Sequence, residues 1–266
     1  MTTMQGVTKE DPAATLVRPV LRVRGLGWAV GGAQIVSDVA FDVAQGEFVA
    51  VIGPNGAGKT SLFNLISGLV RPGSGSIELD RTDITSDPPH RRARRGLGRT
   101  FQSSSVFAGL SVLENARLAA AAHRGSCLRL WRRADADTGA RQAALDALAR
   151  VGLSGRAPDL AGALSHGDKR KLEIAILLVT EPRLILLDEP MAGVGTADVP
   201  ALTEVIRSVH REEGRTVLMV EHHMDVLLGL ADRVAVMHHG RLLALDTPQK
   251  VMADPLVQDA YLGEAL

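Results

Sequence analysis

Short runs of apolar and β-branched residues recur in both halves of the chain and are separated by glycine-rich and polar stretches. Such runs predict β-strands, and runs without polar alternation are typical of strands buried on both faces of a sheet. The predicted strands cover residues 21–23, 48–52, 76–79, 184–187, 217–220 and 233–237. We therefore expect a sheet whose central strands lie in the core.

The pattern changes between residues 103 and 164, where Ala, Leu and Arg recur at helical spacing, as in residues 141–151. This stretch contains no convincing strand and indicates a helical insertion. The predicted architecture is an α/β fold whose sheet domain is split in sequence by a helical subdomain at residues 103–164. Residues 1–18 have no apolar segment of signal-peptide length, so they are predicted to be a mobile tail.

The composition limits the possible classes of protein but does not identify a binding partner. The 266 residues, 45% of them hydrophobic, suffice for one ordinary core and a smaller subdomain. Acidic and basic side chains balance, which gives no general attraction to nucleic acid or anionic lipid. No run approaches the roughly 18 apolar residues that a membrane-spanning helix needs. The single Cys127 excludes an internal disulfide and favours a reducing compartment, with the cytosol as the default.

A phosphate-binding loop is the strongest chemical signal. It follows the predicted strand at residues 48–52 and precedes a helix-like segment at residues 61–69. In the pattern G-x-x-x-x-G-K-[ST], glycines let backbone N–H groups converge on a phosphate at a helix N-terminus. We expect Lys59 to reach the terminal phosphates, Thr60 to bind Mg²⁺ and Ser61 to add a donor. The predicted nucleotide-binding residues are Gly53, Pro54, Asn55, Gly56, Ala57, Gly58, Lys59, Thr60 and Ser61.

Two adjacent carboxylates follow the apolar run at residues 184–187. The carboxyl end of a buried strand is where open α/β sheets place their ligands. We expect Asp188 to hold Mg²⁺ through water, and Glu189 to orient and deprotonate the attacking water. A phosphate loop alone leaves kinases, GTPases, motor ATPases and transport ATPases open, and these carboxylates favour nucleotide hydrolysis.

The segment Leu164-Ser165-His166-Gly167-Asp168 opens another apolar, helix-like run. Ser165 is a good helix N-cap beside N–H groups that can receive an anion, and Gly167 permits close backbone approach. In company with the phosphate loop and the two carboxylates, this segment resembles the signature of the ABC family of ATPases, usually Leu-Ser-Gly-Gly-Gln. The resemblance implies that Ser165 and Gly167 contact the γ-phosphate of ATP held by a partner subunit.

Two further residues take their roles from the resemblance. Gln102, in Arg99-Thr100-Phe101-Gln102, matches the family's glutamine that contacts Mg²⁺ or the lytic water. His222 follows Glu221 after a predicted strand and matches the histidine that contacts the γ-phosphate. Taken alone, either residue is more often a surface or structural side chain. Their positions relative to the other motifs favour the catalytic interpretation.

The resemblance covers nearly the whole chain and implies a single P-loop ABC-type domain at residues 19–266. Its RecA-like core and antiparallel β subdomain would occupy residues 19–102 and 165–266. The protein would bind ATP and Mg²⁺ and act at the cytoplasmic face of the inner membrane, in a homodimer or in a heterodimer with a paralogue. Its implied partners are transmembrane permease subunits and, indirectly, a periplasmic substrate-binding protein. No nucleic acid is implied.

A narrower resemblance is to the ATP-binding subunits of branched-chain amino acid importers. It rests on residues 88–91, 99–102 and 112–115 and on the ending Ala260-Tyr261-Leu262-Gly263-Glu264. Importers of urea and short amides share these marks, and so does the ATPase of lipopolysaccharide export. A soluble ABC ATPase acting on DNA or ribosomes is the alternative from another class. The sequence has neither the long coiled coils nor the duplicated domain of such relatives.

The sequence departs from the family pattern in two loops. Alignment places Val30 where an aromatic residue usually stacks on adenine. On a strand Trp28 shares the face of Val30, so Trp28 could supply the ring or could be hydrophobic surface. In the loop after Pro190, Gly195 stands where the family often has an acidic residue. Without that side chain, communication between the two sites of a dimer is expected to be either weaker or carried by the backbone.

Two other segments allow alternative interpretations. Phe101, Val106 and Phe107 are apolar residues in a predicted loop, where they could receive a permease helix or close the subunit's own core. The basic stretch at residues 90–95 could suggest nucleic acid. Since no aromatic residues interleave with these cations for base stacking, we predict a solvated helix face there.

Overall fold

The computed structural model describes residues 18–101, 106–125 and 138–262. Its strands are β1 (Pro19–Val30), β2 (Ala33–Ala44), β3 (Phe48–Ile52), β4 (Ser74–Leu79), β5 (Thr82–Asp83), β6 (Leu97–Arg99), β7 (Leu184–Asp188), β8 (Thr216–Val220), β9 (Arg233–His238) and β10 (Arg241–Asp246). Its helices are α1 (Lys59–Ser67), α2 (Pro89–Arg94), α3 (Val112–His123), α4 (Thr138–Arg150), α5 (His166–Leu178), α6 (Val199–Arg211), α7 (Met224–Leu230), α8 (Pro248–Ala253) and α9 (Pro255–Leu262). Residues 1–17 of the predicted tail lie outside the described residues, as do Gln102, Cys127 and Trp131.

A six-stranded sheet forms the centre of the fold, with the strand order β10-β9-β3-β8-β7-β6. The strand pairs β9–β3, β3–β8, β8–β7 and β7–β6 are parallel, and β10 pairs antiparallel with β9. Every residue of β3, β7 and β8 is buried. The prediction that the central strands are buried on both faces is therefore confirmed.

A second, antiparallel sheet has the order β2-β1-β4-β5. β1 pairs with β2 from Pro19 to Val30 and with β4 along its other edge. The sequence predicts only residues 21–23 of β1 and does not predict β2, although the buried Val39, Phe41 and Val43 alternate there with residues that are not buried. The antiparallel β subdomain of the predicted fold class is present, and it is larger than the predicted strands indicate.

Strand β3 connects two hydrophobic cores because successive side chains on a strand point to opposite faces. Val49 and Val51 lie in a core shared by both sheets and α1. Phe48, Ala50 and Ile52 lie in a second core together with residues of helices α3 to α6. Helix α1 thus packs against both sheets, and this packing fixes the loop that joins β3 to α1.

The described part of residues 103–164 is helical, as predicted. Helices α3 and α4 pack against each other and against α5. Helix α3 is capped by Ser111, whose Oγ accepts a hydrogen bond from the backbone N–H of Glu114. The one strand-like feature in the described part of this segment is an isolated bridge between Ser111 and Leu160. None of the helices in the described ranges combines the length and the apolarity that crossing a bilayer requires.

The prediction that residues 90–95 form a solvated helix face is confirmed except at Arg92. His90, Arg91, Arg94 and Arg95 are exposed, whereas Arg92 is only 1% exposed. Its guanidinium donates hydrogen bonds to the carbonyls of Leu65 and Ile66 at the end of α1, and to those of Thr85 and Asp87. These carbonyls satisfy the buried cation, which explains how one arginine of a basic run can lie in the interior.

Candidate active site

The carboxyl ends of four neighbouring parallel strands meet at one edge of the six-stranded sheet. In spatial order they are β3, β8, β7 and β6. β3 leads into the phosphate loop, β8 into Glu221 and His222, and β6 into Thr100, while β7 itself ends at Asp188. This edge is where open α/β sheets bind ligands, and the fold gathers most of the predicted catalytic residues there.

The phosphate loop requires glycine at its two ends for steric reasons. At Gly53, with φ 150°, an added Cβ would lie 2.1 Å from the carbonyl oxygen of Met237. At Gly58, with φ 97°, it would lie 2.8 Å from the carbonyl oxygen of Ile35. Strand β9 and strand β2 therefore press on the loop from outside. The tight curl of the loop follows from this confinement as well as from glycine's conformational freedom.

Lys59 is the first residue of α1 and is only 6% exposed. Its ammonium donates hydrogen bonds to the carbonyl oxygens of Gly53 and Pro54, at 2.5 and 2.9 Å. Thr60 is exposed and Ser61 is half-buried at the same helix terminus. The cation and the N-terminus of α1 thus face the same loop, which makes this terminus suited to an anionic ligand.

Asp188 is held by an arginine to which the sequence interpretation gives no role. Arg99 donates a hydrogen bond to Asp188 Oδ2 at 2.8 Å, and the two side chains are 6% and 1% exposed. Burial raises the pKa of the Asp188 carboxyl, and the Arg99 hydrogen bond opposes that rise. Burial also lowers the pKa of the Arg99 guanidinium. The pair is a buried ion pair, in which removal of either partner leaves an uncompensated charge.

The other oxygen of Asp188 fits the predicted metal role. Oδ1 is buried and has no hydrogen-bond partner among the described residues. A buried acceptor of this kind is costly unless a ligand or water satisfies it. No group of three or more His, Cys, Asp or Glu side chains with metal-binding geometry occurs in the described ranges. A cation that takes few protein ligands and keeps several waters, as Mg²⁺ does, suits such a site.

Glu189 and His222 are brought together across adjacent strands. Glu189 Oε1 lies 3.2 Å from His222 Nε2, and the two side chains are 24% and 49% exposed. The backbone N–H of Glu189 bonds to the carbonyl of Val220, and its φ of 48° is unusual for a residue other than glycine. Both side chains therefore project from the same sheet edge, one from the end of β7 and one from the end of β8.

Glu221 is a second residue to which the sequence interpretation assigns no role. It is 3% exposed, and its Oε1 accepts a hydrogen bond from the backbone N–H of Met191 at 2.7 Å. Its Oε2 accepts from the N–H of His222 at 2.7 Å and from that of His223 at 3.4 Å. The carboxylate joins the loop after β7 to the loop after β8. The signal available in the sequence is a charged residue directly after the buried run Thr216–Val220.

Ser165 caps helix α5, as predicted, and its Oγ accepts a hydrogen bond from the backbone N–H of Asp168 at 3.1 Å. Ser165 is exposed. Gly167 is buried, and an added Cβ would lie 2.9 Å from both Cβ and Oδ2 of Asp198. The close approach that requires a glycine here comes from the chain's own Asp198, just before α6. The hydrogen bond of Ser165 Oγ stays within its own helix.

The remaining predicted residues lie at different places. Trp28 is half-buried and packs against the core between the two sheets, whereas Val30 is 51% exposed beside the turn into β2. Gly195 is exposed in the loop before α6. Gln102 lies outside the described residues. The strand geometry does not choose between Trp28 and Val30 as the adenine contact, so that prediction stays open.

Comparisons with known proteins agree with this geometry. Residues 36–192 match the family model described as ABC transporter, and residues 241–266 match the one described as branched-chain amino acid ATP-binding cassette transporter. The chain is 38% identical over 255 residues to the high-affinity branched-chain amino acid transport ATP-binding protein LivG of Salmonella typhimurium, covering 93% of this chain and 99% of that protein. It is 37% identical over 255 residues to the corresponding protein BraF of Pseudomonas aeruginosa, with the same coverage of both chains, 93% and 99%.

Another relative carries a different description. The lipopolysaccharide export system ATP-binding protein LptB of Acidithiobacillus ferridurans is 38% identical over 230 residues, covering 86% of this chain and 91% of that protein. The ATPase of lipopolysaccharide export is one of the alternatives that share the motifs of the narrower resemblance. Overall identity does not separate the two kinds of relative. The match at residues 241–266 favours the branched-chain amino acid group.

Solved structures show the same fold. A nucleotide-free ATP-binding cassette from an ABC transporter superimposes with a TM-score of 0.81 at 27% identity, covering 93% of this chain and 100% of that chain. A cassette in its ADP conformation gives 0.81 at 28% identity, with coverage of 93% and 100%. Because the family model and the full-length relatives span the loops and strand ends that build the site, the chain belongs to the ABC transporter family as an ATP-binding cassette, which confirms the resemblance seen in its motifs.

Proposed function

We propose that this cassette hydrolyses Mg-ATP with the residues at the sheet edge and thereby drives uptake of branched-chain or related small amino acids through a separate permease. The observation that carries the catalytic part is the meeting of Glu189 and His222, 3.2 Å apart, beside Asp188. His222 follows β8, the strand next to the one that leads into the phosphate loop, and Asp188 and Glu189 lie at the end of β7, on the other side of β8.

ATP binding is assigned to the phosphate loop and the start of α1. Lys59 already donates to two loop carbonyls, so its ammonium can exchange these bonds for bonds to the β- and γ-phosphates without leaving its place. The backbone N–H groups of the loop and the partial positive charge of the helix terminus stabilise the same anion. Asn55, Gly56 and Thr60 are exposed and so accessible to a ligand.

The side chains proposed to hold Mg²⁺ are those of Thr60, Asp188 and Gln102, with Asp188 acting through water. When bound, Mg²⁺ neutralises charge on the phosphates and lowers the barrier to their transfer. Asp188 presents the buried oxygen Oδ1, which can accept a hydrogen bond from metal-bound water. Arg99 takes the other oxygen, so the direction of the carboxylate is fixed before any ligand arrives.

Hydrolysis needs a base for the attacking water, and Glu189 is the side chain best placed to supply it. Asp188 is engaged with Arg99, whereas Glu189 is partly exposed at the sheet edge with an oxygen toward His222. The His222 ring can orient that carboxylate and contact the γ-phosphate. Glu221 holds the two loops on which these residues lie, so their separation is set by buried hydrogen bonds.

A second ATP-binding subunit completes the proposed site. The exposed N-terminus of α5, with Ser165 and the backbone at Gly167, belongs to a different element from the phosphate loop. In a head-to-tail dimer this terminus would bind the γ-phosphate on the partner, in a homodimer or with a paralogue. ATP would then favour the closed dimer because these contacts exist only when the two chains meet.

The permease is proposed to dock in a groove of about 600 Å³ between α2, β6, α3 and α5. Its lining is mainly apolar and includes Leu69 and Phe101, which are 49% and 41% exposed. Phe107 is 63% exposed, and its backbone is fixed by the buried side chain of Asn115. The outward position of Phe107 favours the docking interpretation over closure of the subunit's own core, whereas Val106 packs against that core.

The substrate class rests on the relatives alone, because no residue of an ATP-binding subunit needs to touch the transported solute. LivG and BraF are branched-chain amino acid transport ATP-binding proteins, and the match at residues 241–266 has the same description. We assign the protein to the cytoplasmic face of the membrane, with permease subunits as direct partners and a periplasmic binding protein as an indirect one.

Reconstitution tests this proposal. The chain is assembled with the permease and binding protein encoded beside its gene, and ATP-dependent uptake of leucine, urea and short amides into vesicles is measured. Leucine uptake that disappears with Glu189→Gln supports the proposal. Uptake of urea or amides alone would assign the chain to those importers, and activity only with a lipid-export partner would overturn import.

A further inference from the structure

The floor of the groove contains an arginine that also reaches the metal-binding carboxylate. Arg99 lines the groove, yet its side chain is only 6% exposed. Its Nη2 donates to Asp188 Oδ2 at 2.8 Å, and its Nη1 donates to Ser67 Oγ at 2.6 Å. Ser67 is the last residue of α1, the helix that begins with Lys59. One guanidinium therefore joins the phosphate-loop helix to the end of β7.

Phe101 lies between the Arg99 guanidinium and the open groove. Its ring centroid lies 5.3 Å from the Arg99 guanidinium carbon, and 41% of the residue is exposed in the groove. The carbonyl oxygen of Phe101 accepts a hydrogen bond at 2.9 Å from Arg170. Arg170 lies on α5, the helix that Ser165 caps. Phe101 thus contacts the groove, the signature helix and the arginine that holds Asp188.

We propose that Arg99 is a positioning residue that links occupancy of the groove to the metal-binding geometry of Asp188. A segment that enters the groove must press on the Phe101 ring, which packs on the Arg99 guanidinium. Because the guanidinium is a planar fork bonded to both Ser67 and Asp188, a shift of its plane changes the direction of Asp188 Oδ2. Rotation of that carboxylate redirects Oδ1, the oxygen available to metal-bound water.

The link is separate from Gln102, because it runs through the side chain of Arg99 at the end of β6. The link has two ends: at the groove end, an occupant of the groove shifts Arg99, and at the Asp188 end, Arg99 orients Asp188. The groove end rests on the proposed function, in which a permease segment occupies the groove. The Asp188 end does not, and it can be tested on the isolated chain.

The first experiment measures how much Mg²⁺ strengthens the binding of a non-hydrolysable ATP analogue to the isolated full chain. Arg99→Lys keeps the charge but lacks the planar fork that bonds Asp188 and Ser67 from two separate nitrogens. We therefore expect the Mg²⁺-dependent gain in affinity to fall by about tenfold, the scale seen when residues that orient metal ligands are removed from other proteins. Binding without Mg²⁺ should stay unchanged. Thermal unfolding checks that the variant is folded.

Arg95→Lys is the matched control. Arg95 also donates to an aspartate at 2.8 Å, in this case Asp87, but its side chain is 44% exposed and lies at the end of α2. Its Mg²⁺ dependence should equal that of the wild type. A folded Arg99→Lys chain with the same Mg²⁺-dependent gain as Arg95→Lys would overturn the role of Arg99 at Asp188.

The second experiment repeats the Mg²⁺ measurement on the chain assembled with its permease. We expect the permease to change the Mg²⁺-dependent gain severalfold in the wild type, and this change to be lost in Arg99→Lys while copurification with the permease persists. An equal change in both chains would overturn the link to the groove. If the wild-type chain fails to copurify with any permease, the proposed function and the groove end of the link both fail, and the first experiment still decides the Asp188 end.

Discussion

His222 Nε2 lies 3.2 Å from Glu189 Oε1, although the two residues are 33 positions apart in sequence. Strands β7 and β8 are adjacent and parallel, which places their carboxyl ends side by side. A short loop follows each strand, and Glu221 bonds to the backbone of both loops. The pair is thus positioned by the sheet and not by the flexible side chains themselves.

Glu189→Gln is predicted to retain ATP binding and lose hydrolysis. The amide keeps the size of the side chain and a bond to His222 but removes the base, which is expected to lower turnover by about 100-fold or more. Phosphate release and gel filtration with and without Mg-ATP measure hydrolysis and dimerisation, and the variant should dimerise in ATP. The exposed Glu204→Gln on α6 is the control. Turnover near that of the control would remove Glu189 from the mechanism.

Glu221→Gln is predicted to lower turnover with little change in the KM for ATP. An amide nitrogen cannot accept the backbone N–H bonds that the carboxylate receives, so one of the two loops loses its anchor. Steady-state kinetics separates kcat from KM. Glu47→Gln is the matched control. The half-buried Glu47 side chain also accepts a hydrogen bond from a backbone N–H group, and Glu47 is distant in sequence from His222. Equal kinetics for the two variants would contradict the positioning role.

Ser165 is predicted to act on the nucleotide of the neighbouring subunit. Lys59→Ala and Ser165→Arg chains, each inactive alone, should regain hydrolysis when mixed, because a mixed dimer contains one intact composite site. Differently tagged chains allow the mixed dimer to be isolated and its phosphate release measured. A verified mixed dimer without hydrolysis would count against sharing. A Glu189→Gln and wild-type mixed dimer checks that a single intact site suffices for activity.

Trp28 is predicted to contribute about 0.5–1.5 kcal/mol to nucleotide affinity if its ring stacks on adenine. In a Trp131→Phe chain, Trp28 emission should change on ATP addition, and Trp28→Ala should weaken binding. The half-buried ring also packs against the core, so urea unfolding must be measured beside affinity. Val30→Ala tests the exposed alternative. Loss of stability with unchanged affinity would assign Trp28 to packing.

Arg92→Met is predicted to lower the free energy of unfolding by about 3 kcal/mol, because several buried carbonyls lose a charged donor together. Those carbonyls include the last ones of α1, so the phosphate-loop helix should lose local protection in hydrogen exchange. Urea unfolding measures the stability. The exposed neighbour Arg91→Met should change it by less than about 0.5 kcal/mol. A similar small change in Arg92→Met would show that water replaces the guanidinium.

The sequence by itself determines the parts whose chemistry is local. The phosphate loop, the two carboxylates at the end of β7 and the N-cap at Ser165 are contiguous motifs, each flanked by an apolar strand or helix. The structure places each at the predicted end of its element. The apolar runs at residues 48–52, 184–187 and 217–220, which form most of β3, β7 and β8, are predictable because burial on both faces of a sheet favours an unbroken apolar run.

Tertiary structure alone decides the contacts between segments that are distant in sequence. Nothing local shows that Arg92 lies inside while Arg91 is exposed, since both occupy the same basic run. The bond between Arg99 and Asp188 and the anchoring of two loops by Glu221 depend on which strands are neighbours. A buried charge is stable only when folding delivers its partners, and those partners come from other parts of the chain.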